Sequence, residues 1–343
     1  MAALLLLLAA CGPPVTPAAV PSHTPTLSPA AMTVVIDTDM AVDDWMAILY
    51  LLQRPEVAVE AITVTGTGES HCGPGIRNAL GLAALAGNPQ IPVSCGREDP
   101  LQGHHTFPAS WREMVDDLAG LSLPPNPNPP SSQSAVELLS SAIKDSPQRV
   151  VLVTLGPLTN VAEALQSEPF LVDNLEMIYI MGGAVRVPGN LQVPGVDPDN
   201  HVAEWNIYVD PHAAAVVIES GAPITLVPLD ATNRAPLTMD FYRRLKADHT
   251  TPEAEFVYQV LTQMQDFINS GGYYFWDPLA AAVATDESLV TIQSQTLMVI
   301  EDEGPESGRT LALEDGSTVR VCTAANGAAF EEVFLNTLNG RVP

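Results

Sequence analysis

The stretch TVVIDTDMAVDDWMAILYLL, residues 33–52, places four aspartates within eight positions between two apolar runs. Residues 33–36 are mostly β-branched, which is typical of a buried strand, and the apolar residues from Trp45 to Leu52 recur at i, i+3, i+4 and i+7, as on one helical face. The aspartates therefore lie at a strand-to-helix corner. This βα unit decides the fold class of the chain.

The crowding of the four acids indicates more than a helix start. Asp37 and Asp39 are two apart on the strand and can share one side of its carboxyl end, while Asp43 and Asp44 open the helix. One or two acids would suffice to cap the helix and complement its dipole, which is the simpler interpretation. Four like charges repel, so we favour a hard cation such as Ca²⁺ or Mg²⁺, which takes oxygen ligands.

The rest of the chain repeats the same alternation of strand and helix. VAVEAITVT, RVVLVTL, LEMIYIM and PITLVPL are typical of buried strands, and helical segments separate them. This rhythm predicts an α/β fold with an open, mostly parallel, Rossmann-like sheet, helices on both faces, and a small C-terminal hairpin and helix. Residues 97–133 are rich in Pro and Asn and are predicted to form a surface excursion.

Composition restricts the function classes. The chain of 343 residues has 14 Lys and Arg against 40 Asp and Glu, giving a net charge of -26. Binding of nucleic acid through its phosphates requires basic patches, which are absent from the sequence, so no nucleic-acid partner is expected. The acidity by itself is more typical of a soluble surface than of a specific function.

The N-terminus indicates export. MAALLLLLAACGPP has an apolar run too short to span a membrane, and residues 8–11 (LAAC) resemble a bacterial lipobox. The resemblance implies a signal peptide over 1–11, a lipidated Cys11 that anchors the chain to the cell membrane facing the periplasm or the exterior, and a disordered Pro/Thr/Ser/Ala tether over 12–31. No Lys or Arg precedes the apolar run, and an ordinary secretory signal is the alternative. A single domain is then expected over 32–343.

Three cysteines remain in that domain, Cys72, Cys95 and Cys322. Their spacing matches no zinc pattern, and an odd number leaves at least one unpaired. They are expected to be mostly buried, and the sequence does not decide whether any two form a disulfide.

Three further segments carry polar groups at the ends of predicted strands. They are TLGPLTN (154–160), the glycine-rich segment 181–211 with AEWNIYVDP, and YYFWDPLAAA (273–282). Together with the D-x-D-x-x-x-D-D corner, and in this order, they resemble the inosine-uridine-preferring nucleoside hydrolase family over about residues 33–340. The resemblance implies an open α/β sheet, a bound Ca²⁺, and hydrolysis of ribonucleosides to ribose and free base. Homodimers or homotetramers are common in that family.

The resemblance also implies roles for individual residues. Asp39, Asp44 and Asp277 would bind Ca²⁺ together with the carbonyl of Leu155. The residues that would contact the nucleoside are Asp43, Glu69, Met181, Asn200, Glu204, Asn206 and Trp276. Asn200 is the loosest match, because the spacing of the loop before AEWN varies among relatives.

The chemistry of glycosidic cleavage fits these roles. Breaking the C1′–N bond passes through an oxocarbenium-like state, which nearby carboxylates stabilise while water attacks the sugar. Asp39 would be the general base, Asp43 would hold the 2′-hydroxyl, and Glu204 and Asn206 would fix the other sugar hydroxyls. Together with Trp276, Asp39 and Asp43 are therefore the predicted catalytic residues.

The leaving-group side departs from the family pattern. Many members carry His before the metal-binding Asp277, and this chain has Trp276. Trp cannot be a general acid at neutral pH but can stack on a purine, as in the purine-specific branch, so purine nucleosides are favoured. Packing in the core is the simpler interpretation of Trp276. In GTGESH (66–71), Glu69 stands where relatives often have Asn, and whether His71 supplies the missing acid is left open.

Two other functions fit parts of the sequence. VVIDTDMAV also matches the opening motif of haloacid-dehalogenase-type phosphatases, with Asp37 as nucleophile, but neither Lys144 nor Lys246 follows a strand as that class requires. A tethered lipoprotein could instead bind nucleosides at calcium without hydrolysing them. The complete set of aspartates argues against that alternative.

Overall fold

The computed structural model describes residues 31–193 and 199–341. The predicted signal peptide and residues 12–30 of the predicted tether lie outside the described residues. None of the described helices is both long and apolar enough to cross a membrane. The strands are β1 Met32–Thr38, β2 Val57–Val64, β3 Val93–Cys95, β4 Val150–Thr154, β5 Leu175–Met181, β6 Ile224–Val227, β7 Val290–Val299, β8 Thr310–Ala312 and β9 Ser317–Ala325. The α-helices are α1 Val42–Leu52, α2 Cys72–Leu85, α3 Ala109–Asp116, α4 Ala135–Lys144, α5 Thr159–Ser167, α6 Trp205–Val209, α7 Pro211–Glu219, α8 Leu229–Thr232, α9 Met239–Ala247, α10 Pro252–Gln263, α11 Gln265–Ser270, α12 Trp276–Thr285 and α13 Gly327–Leu338.

The nine strands form one sheet in the order β3-β2-β1-β4-β5-β6-β9-β7-β8. Strands β1 to β6 pair in parallel, and β9 is parallel to β6. β7 is antiparallel to both β8 and β9. The predicted open, mostly parallel α/β sheet is confirmed. The predicted C-terminal hairpin is the antiparallel pair β7–β8, which β9 joins to the same sheet, and α13 is the closing helix.

Both faces of the sheet are covered, and this explains the uninterrupted apolar run of β1. Val34 and Ile36 are fully buried on the side covered by α1, α2, α12 and α13, whereas Val35 is fully buried on the side of α4, α5 and α7. Successive strand residues point to opposite faces, so a strand covered on both sides needs apolar residues at every position.

The strand order reverses between β1 and β4, which determines where the site forms. Open α/β sheets bind ligands in the crevice outside the carboxyl ends of their strands at such a reversal. The aspartate corner follows β1, and the GPLTN segment follows β4. The amide of Leu155 donates a hydrogen bond of 2.8 Å to the carbonyl of Asp37, which holds the two chain segments side by side.

The Pro- and Asn-rich segment is more ordered than the sequence predicted. It contains α3, and its own residues Phe107 and Val115 are buried. α3 is followed by a turn in which Leu118 and Ala119 have positive φ angles of 53° and 51°. The prediction of a surface excursion was therefore incomplete, because apolar residues within it reach the body of the domain.

The structure answers the question that the cysteines left open. Cys72 at the start of α2 and Cys95 at the end of β3 form a disulfide, and Cys322 is buried and unbonded. The bridge closes 23 residues of sequence next to the loop that carries Glu69.

Candidate active site

A cavity of about 470 Å³ opens beside the carboxyl ends of β1, β4 and β5. Residues from well-separated parts of the chain meet there, which is why no single motif defines the site. The predicted site residues that line the cavity are Asp39, Asp43, Asp44, Glu69, Leu155, Met181, Glu204, Asn206, Trp276 and Asp277.

The corner between β1 and α1 turns sharply within three residues. Met40 adopts a positive φ of 61°, which is uncommon for a residue other than glycine. The turn is held by Asp44, whose Oδ1 accepts hydrogen bonds from the amide of Asp39 at 3.2 Å and from the hydroxyl of Thr38. This geometry brings Asp39 back toward the first turn of α1 and points its carboxylate into the cavity.

Asp37 does not share the side of Asp39, contrary to the sequence analysis. Its side chain is fully buried away from the cavity, and its Oδ1 accepts hydrogen bonds from Thr63 at 2.6 Å and from Asn160 at 2.8 Å. Burial raises the pKa of Asp37 to about 7. Asp39 lies beyond the last strand residue, so the alternation that places i and i+2 together no longer applies. Asp37 therefore ties β1 to β2 and α5.

Asp39, Asp43 and Asp44 line the same cavity as Asp277, which is the second residue of α12. Carboxylate oxygens of Asp43, Asp44 and Asp277 lie within 4.8 Å of one another. Burial raises the pKa of Asp43 to about 6 and that of Asp44 to about 7. Burial, with the added charges of Asp43 and Asp44, raises the pKa of Asp277 well above its ordinary value. Burial and the charge of Asp44 do the same to Asp39.

This cluster fits a hard cation. Asp44 Oδ2 is buried and has no hydrogen-bond partner among the described residues. A buried carboxylate oxygen without a donor is costly, and a cation bound between several such oxygens removes both that cost and the mutual repulsion. The atoms on offer are all oxygens, including the carbonyl of Leu155 at the edge of the cavity, which is the chemistry that Ca²⁺ and Mg²⁺ require.

Glu204 lies at the N-terminus of α6 and is 2% exposed. Its carboxylate accepts hydrogen bonds from the amides of Asn206 at 3.0 Å, Ile207 at 3.3 Å and Gly183 at 2.9 Å. Burial raises its pKa, and these amides oppose that shift. Glu204 therefore both caps α6 and holds the glycine loop after β5 against the cavity.

Asn206 connects two strand ends. Its Nδ2 donates hydrogen bonds to the carbonyls of Leu155 at 3.0 Å and Met181 at 3.2 Å. These carbonyls follow β4 and end β5, so one side chain fixes the spacing of two neighbouring strand ends at the cavity. The predicted proximity of these three residues is observed.

Asn200 is not brought to the cavity. It is fully buried, and its side chain accepts hydrogen bonds from the amides of Val202 and Ala203 and donates one to the carbonyl of Ser307. Asn190 lines the cavity instead, and its amide bonds to the carbonyl of Ala203 at 3.1 Å. The sequence does not reveal which of the two asparagines reaches the cavity. The glycine that precedes Asn190 was the available signal.

The loop after β2 places Glu69 in the wall of the cavity and His71 outside it. Glu69 lines the cavity, and its amide donates a hydrogen bond of 3.2 Å to Oδ2 of Asp39. Burial and the charges of Asp39 and Asp43 raise the pKa of Glu69 well above its ordinary value. His71 instead caps α2, and its Nδ1 pairs with Asp116 at 2.7 Å. It does not line the cavity and is not placed to protonate a leaving group.

Aromatic residues that the sequence analysis missed surround the outer part of the cavity. Phe107 stacks on Trp205 at 4.9 Å, and Trp111 lies 5.3 Å from Trp205. Phe107, Trp111 and Met114 follow the i, i+4, i+7 spacing of a helical face, a signal hidden by the Pro- and Asn-rich sequence around it. On another part of the wall, Trp276 packs with three aromatic neighbours, namely Phe267, Tyr273 and Tyr274.

Comparison with known proteins identifies the family of the chain. Residues 34–332 match the family described as inosine-uridine preferring nucleoside hydrolase. Uridine nucleosidase 1 of Arabidopsis thaliana is 34% identical over 288 residues, which cover 81% of this chain and 80% of the relative. The pyrimidine-specific ribonucleoside hydrolase RihA of Klebsiella pneumoniae is 36% identical over 233 residues, covering 66% of this chain and 70% of the relative.

Comparison with solved structures also points to nucleoside hydrolases. The structure of the purine-preferring ribonucleoside hydrolase from Gardnerella vaginalis matches with a TM-score of 0.77 and 29% identity, covering 90% of this chain and 98% of that chain. The chain therefore belongs to the inosine-uridine preferring nucleoside hydrolase family and is a hydrolase of nucleoside N-glycosyl bonds.

Proposed function

We propose that the cavity hydrolyses purine ribonucleosides and that it does so with a resident Ca²⁺. The observation that carries the metal proposal is the convergence of three carboxylates within 4.8 Å, those of the buried Asp44 and Asp277 and of the half-buried Asp43. Buried like charges at such distances cannot all be ionised without a counter-charge, and the described residues that line the cavity include no Lys, Arg or His.

Asp44 and Asp277 would hold the cation, with Asp39 and the carbonyl of Leu155 completing the set. Ca²⁺ is preferred to Mg²⁺ because it accepts many protein oxygens in a flexible arrangement, whereas Mg²⁺ usually retains several waters. When bound, the cation would acidify a water and orient the sugar hydroxyls. Asp43 lies within 4.8 Å of both Asp44 and Asp277, so the ribose would be bound directly beside the metal.

The chain's own residues then divide the reaction. Asp39 would accept the proton of the attacking water, because its carboxylate faces the cavity beside the proposed metal ligands. Asp43 would accept a hydrogen bond from the 2′-hydroxyl, and Glu204 and Asn206 would contact the remaining hydroxyls. The several carboxylates around the ribosyl ring stabilise the positive charge that develops on it.

The purine preference rests on Trp276 and its surroundings. A large aromatic ring at the place where many relatives have His gives the base a stacking surface. Phe107, Trp111 and Trp205 add a second aromatic surface to the same cavity. The names of the compared proteins include uridine, pyrimidine-specific and purine-preferring hydrolases, so they do not favour one base, and the aromatic lining favours the larger ring system.

The absence of lysine from the described lining of the cavity gives the phosphatase alternative no support.

We further propose that the chain is exported and lipid-anchored through Cys11, facing the periplasm or the exterior. The disulfide between Cys72 and Cys95 supports an oxidising compartment, because such bonds are rare in the cytosol. A homodimer or homotetramer is proposed from the family resemblance alone.

The deciding experiment measures free-base release from purine and pyrimidine ribonucleosides, with Ca²⁺ and with EDTA. We expect metal-dependent release with the purine substrates fastest. The Asp39→Asn variant should retain its circular dichroism spectrum and lose activity about 10³-fold. Activity that survives EDTA treatment with no bound metal would contradict the calcium proposal, and calcium binding without any base release would leave only a binding protein.

A further inference from the structure

The described lining of the cavity offers the leaving base only neutral donors, among them the amides of Asn190 and Gln192, the indole of Trp276 and the hydroxyl of Tyr273. Cleavage places negative charge on the base as the C1′–N bond breaks. Among the described residues of the lining, none is cationic, and His71 is held at Asp116. Some neutral donor must therefore stabilise the departing base, or the rate would depend on the sugar side alone.

Tyr273, a residue of the cavity wall, has a hydroxyl without a hydrogen-bond partner among the described residues. The residue is 2% exposed. A buried hydroxyl without a partner costs free energy, and most such groups in native structures are paired. A partner that arrives with the substrate resolves this cost.

The position of Tyr273 is fixed from two sides. Its carbonyl accepts a hydrogen bond of 2.9 Å from the amide of Leu237, and Tyr274 forms a β-bridge with Pro236, so the backbone is held before α12 begins. The ring stacks on Phe267 at 4.7 Å and lies 5.7 Å from Trp276. A rigid backbone and packed rings give the hydroxyl a defined place.

The hydroxyl of Tyr273 is influenced by charges on the sugar side of the cavity. The charges of Asp43 and Glu69 act on Tyr273 and, after burial, are the largest causes of its raised pKa, so the group stays protonated at neutral pH. Asp43 belongs to the sugar side of the cavity, whereas the neighbouring ring of Trp276 belongs to the base side. Tyr273 therefore lines the same cavity as the proposed sugar-binding carboxylates and lies next to the proposed base-stacking ring.

We propose that the hydroxyl of Tyr273 donates a hydrogen bond to a ring acceptor of the leaving base, on the edge that faces the ribose. This inference rests on the proposed orientation of the nucleoside, with the base at Trp276. The hydrogen bond strengthens as negative charge develops on the base, and the phenol keeps its proton throughout. Tyr273 thereby replaces part of the function of the missing histidine.

The test compares Tyr273→Phe with the wild-type chain. The substitution removes one hydroxyl and keeps the ring. We expect kcat/KM for inosine to fall about 10- to 100-fold, whereas kcat/KM for 4-nitrophenyl riboside, whose leaving group needs no donor, changes less than about threefold. Tyr274→Phe is the matched control, because Tyr274 is the next residue and does not line the cavity, and it should behave as wild type.

A binding measurement separates this inference from the proposed function. A C-nucleoside cannot be hydrolysed, and we expect its dissociation constant to rise about tenfold in Tyr273→Phe while that of free ribose stays unchanged. This readout does not require turnover, calcium dependence or purine preference. Equal losses for both riboside substrates, unchanged inosine kinetics, or equal weakening of C-nucleoside and ribose would each overturn the role of Tyr273 at the base.

Discussion

A β-carbon placed on Gly68 would lie 2.0 Å from the Cβ of Asp39 and 2.4 Å from its Oδ2. A β-carbon on Gly156 would lie 2.6 Å from the same Cβ. Gly68 belongs to the loop after β2 and Gly156 to the loop after β4, the two strands that flank β1. The backbones of these two loops therefore lie in close contact with Asp39, whose carboxylate is directed into the cavity.

Gly68→Ala should inactivate the enzyme although it removes no polar group. The added methyl must displace Asp39, and a shift of about 1 Å in a catalytic group can cost about 10²-fold in rate. We expect kcat to fall by at least that factor and the melting temperature to fall as well. Gly73→Ala is the control, because a β-carbon there meets nothing within 4 Å. A fully active Gly68→Ala variant would show that the position of Asp39 is not critical.

The corner itself could be predicted because its determinants are local. A β-branched run, an apolar helical face and the aspartates between them define geometry within a dozen residues, and the charge repulsion follows from proximity in sequence. Even at this corner, local sequence reasoning placed one residue wrongly. Asp37 was grouped with Asp39 by strand alternation, although the strand stops at Thr38.

Residues whose place depends on distant contacts could not be predicted. Asn190 and Asn200 are both compatible with the segment before AEWN, but only Asn190 lines the cavity, because the side chain of Asn200 is bound to the backbone of Ala203 and Ser307. Phe107 and Trp111 reach the cavity because α3 folds back over it, which no local pattern in a Pro-rich segment specifies. The partner of Cys72 likewise depends on the parallel pairing of β2 with β3.

Asp44→Asn should separate the structural and metal roles of the cluster. The amide can keep the hydrogen bonds that Asp44 Oδ1 accepts from Thr38 and Asp39, while one of the crowded charges is removed. In EDTA, we expect a melting temperature equal to or above that of the wild-type chain, because repulsion is relieved. With excess Ca²⁺, the wild-type chain should gain stability and the variant should gain little.

Thermal unfolding of both proteins, with and without Ca²⁺, measures this directly. Asp240→Asn is a suitable control, since Asp240 is an exposed residue of α9, remote in sequence from the cluster. Equal calcium-induced stabilisation of the wild-type chain and Asp44→Asn would exclude Asp44 as a ligand. A large loss of stability in EDTA would instead show that the carboxylate is needed for the corner to fold.

Removal of the disulfide should destabilise the domain. The bond between Cys72 and Cys95 spans 23 residues, and the chain-entropy treatment of such a loop gives about 3 kcal/mol. We expect the Cys72→Ala/Cys95→Ala variant to lose about that free energy of unfolding in urea titrations. Cys322→Ala offers a comparison in which a buried but unbonded cysteine is lost. Identical stability with and without the bridge would contradict this expectation.

Trp276→Ala should affect purine substrates more than pyrimidine substrates. The loss of base–aromatic stacking costs about 1–3 kcal/mol, and a fused purine ring has more surface to lose than a pyrimidine. We expect kcat/KM to fall at least about tenfold further for inosine than for uridine. Trp276→Phe keeps an aromatic face and should recover most of the difference.

The measurement is the ratio of the two specificity constants in each variant, which is insensitive to errors in active concentration. If the ratio is the same in all three proteins, Trp276 only packs against Phe267 and Tyr273, and base preference must come from the surface formed by Phe107, Trp111 and Trp205.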